Sequence, residues 1–197
     1  IIKMEPIIGG QAVIEGVISA KKSGLDCSLN SNLTTITRKD AESLKDAGLD
    51  SVLTSLHSFD ENTHNKITQR EGSFKRTLQG IKICQDVGLD VGVNMVVMKI
   101  NQQQVFKTGK FIKDLGIKAF SATKAVPCLG GNNFSEIGID KKAFKKMITD
   151  LILLEKTFGI NVDTLMAYPL CALSDLASFW KLAQHSCGAG TTTCTIG

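Results

Sequence analysis

The 197-residue chain has no run of lysine and arginine long enough to mark a nucleic-acid footprint. Its net charge is +4, and the paired lysines at 21–22, 141–142 and 145–146 read as solvated helix surface. No apolar stretch approaches the ~20 residues that cross a bilayer. The opening IIKMEPIIGG carries one positive charge, Lys3, and no cleavage site after a long apolar core, so it does not read as a signal peptide. These absences predict a cytoplasmic protein with neither a nucleic-acid nor a membrane partner. Six cysteines, Cys27, Cys84, Cys128, Cys171, Cys187 and Cys194, are too sparse for a small disulfide scaffold and read as thiols or metal ligands. There is no Gly-rich phosphate loop. What is present is an ordinary globular composition, 43% hydrophobic and 21% charged, in a chain long enough for a real core.

One join recurs along the chain. In SAKKSGLDCSLNSN (19–32), SLKDAGLDSVLTSL (43–56), KICQDVGLDVGVNMVV (82–97), FIKDLGIKAFSATK (111–124) and KTFGINVDTLMA (156–167), the polar end of a helix meets Gly, then Leu or Ile, then a short β-rich run. A helix commonly stops in the left-handed conformation, which glycine adopts without a Cβ penalty. Gly24, Gly48, Gly88, Gly116 and Gly159 are therefore expected helix stops, each leading directly into a strand. Short αβ joins of this kind belong to alternating βα architecture. Helices are expected at 11–23, 37–47, 73–87, 102–115 and 141–158. Thr37 with Asp40 reads as nearly a capping box and Ser73 as an N-cap. Phe74, Leu78, Ile81 and Cys84 line one face of their helix. The strands DCSLN, SVLTSL, VGVNMVVM, KAFSATK and INVDTLM are apolar enough to be expected buried on both faces of a parallel sheet. The joins alone fit either a doubly wound sheet or a barrel.

In such folds the site lies at the carboxyl ends of the strands. There the sequence places Asn30, Ser31 and Asn32; Ser55, His57 and Ser58; Asn94, Lys99 and Asn101; Thr123, Lys124, Val126, Pro127 and Cys128; and Met166 and Tyr168. This rim is rich in amides and hydroxyls, and paired acids for general acid–base work are missing. It suits holding an uncharged or zwitterionic cofactor. His57 is the one rim histidine placed for catalysis, with His64 expected in the next loop, and for both a structural role is the simpler reading.

Taken together these segments resemble the radical S-adenosylmethionine (SAM) superfamily, in particular members with a C-terminal SPASM-type cysteine extension. SLNSNLTTIT (28–37) is similar to the family's third-strand segment, and SLHS (55–58) stands where Ser-Leu-Asp-Gly is frequent. HNKITQREGSFKRTLQGIKICQDVGLDVGVNMVV (64–97) is the longest match, FSATKAVPCLGG (120–131) resembles the sixth-strand segment, and CGAGTTTCTIG (187–197) resembles the opening of the extension. The resemblance implies an α/β fold, a partial (β/α)6 TIM-like barrel of the radical SAM type truncated at both ends. Residues 1–168 would be the core barrel and 169–197 the start of the extension.

The family's CxxxCxxC motif, whose three thiolates hold a [4Fe–4S] cluster, is absent from these residues and is expected upstream of residue 1. In place of Gly-Gly-Glu-Pro the chain has KMEP at 3–6, which sits one helix ahead of the first join; GGQA at 9–12 is too close to Gly24. Thr68 occupies the slot of a frequent arginine, with Arg70 two residues on.

The resemblance implies that the parent enzyme cleaves SAM to a 5′-deoxyadenosyl radical for hydrogen abstraction from a peptide, protein or small-molecule cofactor precursor. A ferredoxin or flavodoxin would supply the electron, and the isolated chain would be inactive. By the same resemblance Glu5 would take the SAM amino group, Ser31 and Asn32 would lie near the methionine part or ribose, and Ser55 would meet the carboxylate or ribose. Arg70 is a further charge partner, Asn94 would reach the ribose, and Val126 and Pro127 would flank the adenine. An amide such as Asn94 inside an apolar strand is costly unless it has a partner. Cys187 and Cys194, separated by six residues, would ligate an auxiliary [4Fe–4S] cluster, with zinc as the rival metal. Two other readings compete: an ordinary (β/α) aldolase or isomerase using Lys99 or Lys124 as a Schiff base, and a non-catalytic protein whose cysteines bind zinc or a partner.

Overall fold

In the computed structural model of the chain, the described residues are 2–3, 10–127, 134–166, 168 and 182. They form, in chain order, β1 (Ile2–Lys3), α1 (Gly10–Lys22), β2 (Ser28–Asn30), α2 (Arg38–Asp46), β3 (Ser51–Ser55), α3 (Glu61–Thr68) and α4 (Ser73–Asp86). Then come β4 (Asp90–Val97), α5 (Val105–Asp114), β5 (Ala119–Lys124), α6 (Phe134–Ile137), α7 (Lys141–Phe158) and β6 (Asn161–Asp163). All five expected stop glycines adopt positive φ, between 64° and 94°. The helices therefore end where the sequence places their ends.

The strand order is β1-β2-β3-β4-β5-β6, the order of the chain itself. Leu29 pairs in parallel with both Ile2 and Val52, and Phe120 with Val162. A doubly wound sheet reverses its strand order at a switch point. This sheet does not, so it follows the progression of a barrel. The burial of β3 and β4 agrees and corrects the expectation of burial on both faces for these two strands, whereas Phe120, Ser121 and Ala122 of β5 are buried in succession. Along β3 and β4, buried Val52, Thr54, Val91, Val93, Met95 and Val97 alternate with less buried neighbours. Right-handed βα connections of unreversed order put every helix on one side, so the second face stays partly open.

The chain divides into two compact units, one drawn from residues within 1–55 and 68–92, the other from residues within 56–67 and 93–187. In the first unit, Val13 and Val17 of α1, Ala41 and Leu44 of α2, and Ile81 and Cys84 of α4 are buried, as are Leu29 and Val52 of the strands. The Thr37 capping box is complete. Its hydroxyl accepts from the Asp40 N–H, and the Asp40 carboxylate accepts from the Thr37 N–H. The Asp50 carboxylate accepts from the Cys27 N–H at 2.6 Å and from Lys21 Nζ at 2.9 Å, joining the entries to β2 and β3.

The start of α4 departs from expectation. Its N-cap is Gly72, with φ 69°, and Ser73 is already helical and buried. The Ser73 hydroxyl instead lies 2.6 Å from that of Thr68, so a contact across the α3–α4 turn takes the place of the cap. Further along, Gly80 lets α4 touch the chain after β2. A Cβ there would lie 2.3 Å from the Leu33 carbonyl oxygen.

In the second unit, Val93, Met95 and Val97 of β4 and Phe120 and Ala122 of β5 are buried, as are Ile112 of α5 and Met147, Ile148, Leu151 and Leu154 of α7. Helices α5 and α7 meet at Gly109, where an added Cβ would come 2.3 Å from Leu154 Cδ1. Among the described residues no helix is long and apolar enough to cross a membrane.

Candidate functional site

In the first unit the segment after β2 is a rigid turn. The Ser31 N–H donates to the Leu53 carbonyl, and its Oγ accepts from the Leu33 N–H at 3.2 Å. Asn32 is exposed, and its Oδ1 accepts from the Thr34 N–H and hydroxyl at 3.1 and 3.0 Å. The left-handed residue of this turn is Leu33, φ 57°, rather than Asn32. A leucine tolerates that conformation at a cost of about 1–2 kcal/mol. The turn holds it because Leu33 is buried, its carbonyl lies on Gly80, and the Thr77 hydroxyl donates to the Asn32 carbonyl at 3.3 Å. Ser55 ends β3 half-buried, and its hydroxyl has no protein partner among the described residues. Arg70 is exposed, its side chain likewise without a described partner.

The second unit carries a histidine pair that serves the fold. His64 lies in α3, not in a loop as the sequence reading had it, and is buried. Its Nδ1 accepts from the His57 N–H at 3.1 Å, and His57 Nδ1 accepts from the Val96 N–H at 3.3 Å. The rings stack 5.6 Å apart. A nitrogen that accepts from an N–H carries no proton, so both rings are neutral. Burial pushes His64 down to about 4, and burial together with the nearby His64 does the same to His57. Asn101, fully buried, donates to the His57 and Val96 carbonyls and accepts from the Met98 N–H. These groups close the β4 loop, and their hydrogen bonds are spent on backbone.

Asn94 is different. It lies on the partly open face of β4, half-buried, and its amide has the partner the sequence reading missed. The Thr123 hydroxyl oxygen of β5 lies 2.9 Å from the Asn94 carboxamide and 2.8 Å from the Thr164 carbonyl. Its single proton goes to the carbonyl, which can only accept, so the Nδ2 end of Asn94 faces Thr123 and donates to its oxygen. The other end of the Asn94 carboxamide has no protein partner among the described residues. Thr164 is itself buried in a tight turn, where Asp163 Oδ1 accepts from the Thr164 N–H and Leu165 takes φ 53°. Thr123 stood among the rim residues in sequence, but nothing in the sequence pairs positions 94 and 123. Beyond β5, Val126 and Pro127 are exposed, Val126 at 47%. The Lys124 N–H donates to Tyr168 Oη at 3.1 Å, and burial pushes the Tyr168 phenol up. Lys99 Nζ donates to the Ser135 carbonyl at 2.7 Å on an exposed stretch, which is no setting for a Schiff base.

The described residues do not fit an iron–sulfur cluster. Among them no three His, Cys, Asp or Glu side chains converge on a metal position. Cys27 and Cys84 are buried free thiols, and burial pushes Cys84 up to about 11, far from the thiolate a metal needs. Glu5, Cys128, Cys171, Cys187 and Cys194 lie outside the described residues. A small polar ligand does fit beside Asn94, whose unspent carboxamide end on a partly open strand face calls for a hydrogen-bond partner.

The profile of the radical SAM superfamily matches residues 5–137. The AdoMet-dependent heme synthase of Methanosarcina barkeri is 30% identical over 115 residues, 58% of this chain and 33% of that protein. The probable GTP 3′,8-cyclase of Saccharolobus islandicus is 36% identical over 107 residues, 54% of this chain and 32% of that protein. The matched stretch spans about a third of the length of these relatives. Among solved structures, Streptococcus suis SuiB bound to S-adenosylmethionine matches 90% of this chain and 42% of its own, with TM-score 0.69 and 16% identity. Native anSMEcpe with bound AdoMet and Cp18Cys peptide matches 80% of this chain and 48% of its own, with TM-score 0.67 and 16% identity. At such identities the likeness carries the fold alone, and it is the α/β, partial TIM-barrel fold read from the strand order. With two thirds of its length in the family profile, this chain belongs to the radical SAM superfamily.

Proposed function

We propose that the chain is the SAM-binding portion of a radical SAM enzyme that cleaves SAM and abstracts hydrogen from a peptide, a protein or a cofactor precursor. The match of residues 5–137 to the family carries this reading. The relatives' names, a heme synthase and a GTP cyclase, support a cofactor precursor; the peptide bound to anSMEcpe supports a peptide. The family's [4Fe–4S] cluster, when bound, supplies the electron that breaks the sulfonium C–S bond, and a ferredoxin or flavodoxin in the cytoplasm supplies that electron in turn. None of the six cysteines has the CxxxCxxC spacing, so the reading assigns the cluster ligands to a segment outside these 197 residues.

Within the chain, Ser31, Asn32, Ser55, Arg70 and Asn94 are assigned to the polar parts of SAM, Val126 and Pro127 to the adenine, and Glu5 to the amino group. The half-buried Ser55 and Asn94, each with an unspent polar group, support their assignment most directly. Ser31 and Asn32 already serve their own turn, which supports a role through backbone shape. Residues 169–197 are read as the start of a SPASM-like extension, with Cys187 and Cys194 as ligands of an auxiliary cluster.

The test is anaerobic reconstitution of the full-length protein with iron and sulfide, followed by dithionite and SAM. The expected product is 5′-deoxyadenosine, with iron content above that of a single cluster. The isolated 197-residue chain is expected to give none. A reconstituted full-length protein that leaves SAM intact would sink the proposal.

A further inference from the structure

We propose that Thr123 is a positioning residue for the ligand group that meets Asn94, an inference that rests on the assignment of Asn94 to SAM. A primary carboxamide can turn over about its last torsion, exchanging its donor and acceptor ends. On an open strand face the two settings are close in energy unless a neighbour separates them. Thr123 is that neighbour. Its hydroxyl oxygen lies 2.9 Å from the Asn94 carboxamide and, with its one proton on the Thr164 carbonyl, accepts from the Nδ2 end. Oδ1 is left on the partly open side, where it accepts from a hydroxyl of the ligand, such as a ribose hydroxyl.

The second contact of Thr123 fixes the hydroxyl itself. The Thr164 carbonyl accepts from it at 2.8 Å, and Thr164 is fully buried in the turn after β6. The threonine is β-branched, with one strongly restricted χ1, so the hydroxyl is not free to swing away. The middle of β4, the end of β5 and the residue after β6 therefore meet at a single oxygen atom. Thr123 serves two purposes, and they separate experimentally. Losing the Thr164 contact costs stability in any background, because it strands a buried carbonyl. Losing the Asn94 contact costs ligand affinity only while Asn94 is present.

The probe is S-adenosylhomocysteine, titrated by calorimetry into the cluster-loaded full-length protein, with thermal midpoints measured in parallel. Thr123→Val is expected to weaken binding about fivefold, the size of one net hydrogen bond. Thr123→Ser is expected to stay within about twofold of wild type, since the hydroxyl returns. In an Asn94→Ala background Thr123→Val should lower the midpoint again but leave affinity unchanged. Thr123→Ala, which cannot overpack, stands in if the valine variant does not fold. The inference is overturned if affinity survives Thr123→Val and Thr123→Ala, or if the loss is as large without Asn94 as with it. If Asn94→Ala weakens binding while the Thr123 variants do not, only this inference fails. If the wild-type protein does not bind the probe, or Asn94→Ala binds it as wild type does, the assignment of Asn94 to SAM fails and takes the inference with it.

Discussion

Taking the protein from pH 7 to pH 5 should cost it a large part of its stability, through His57 and His64. Each Nδ1 accepts from a backbone N–H, at 3.3 and 3.1 Å, so a proton on either ring breaks a hydrogen bond and charges a buried group. Both are held at about 4 in the fold, against about 6.5 in the unfolded chain. The unfolded chain therefore binds more protons between these values, and stability falls as pH falls through 6.5, levelling below about 4. At pH 5 linkage gives roughly 2 kcal/mol for each histidine and roughly 4 for the pair. A domain has about 5–15 kcal/mol in all.

Carboxylates do not mask the effect. Asp50, held below its usual range by the Cys27 N–H and Lys21, and Asp60, held down by Thr63, lose their contributions only below about 3.8. The assay is the urea midpoint at pH 7 and pH 5 for wild type, His57→Asn, His64→Asn and the double variant. Asparagine offers an oxygen near the position of Nδ1 and does not titrate. Each single variant should lose about half of the pH effect, and the double variant should be nearly flat. An undiminished drop in the double variant, or none in wild type, would refute the assignment of these rings as buried neutral acceptors.

Three further substitutions test packing and capping. Gly80→Ala and Gly109→Ala each place a Cβ 2.3 Å from a neighbour, but the neighbours differ. Gly80 meets the backbone oxygen of a strained turn, while Gly109 meets a leucine methyl that can rotate. Denaturation should show a loss of about 1–3 kcal/mol for Gly80→Ala and clearly less for Gly109→Ala; equal losses would contradict the difference in rigidity. Thr37→Ala should cost about 1 kcal/mol by removing one side of the capping box, and an unchanged denaturation midpoint would show that box to be idle.

The βα joins were legible because one residue type, glycine, does what no other does as cheaply: it stops a helix in the left-handed region. All five stops could be read for that reason. Helix α7 and the Thr37 cap were legible because their signals are local in sequence. What escaped depends on partners distant in sequence. Ser73 had the chemistry of a cap, but Thr68 claimed its hydroxyl. The left-handed residue after β2 is Leu33, which burial and the contact with Gly80 hold there, and neither is visible in the local sequence. Asn94 was rightly singled out as costly, yet its partner lies 29 positions on and belongs to another strand. The two faces of β3 and β4 looked alike in sequence because Val, Met and Leu serve both a helix-covered face and a partly open one.

The bare Cα of Gly80 also works as a ruler. Its neighbours in α4, Gln79 and Ile81, both carry a Cβ, so sliding the helix by one residue in either direction would drive a side chain into the Leu33 carbonyl. The helix can seat in one register only, and it is set by a missing atom. Insertions and deletions should therefore be tolerated in the 69–72 turn, where length changes are taken up before the helix begins, and rejected between Ser73 and Gly80. A scan of single-residue insertions across 66–84 would trace that boundary, with Gly72 as its expected edge.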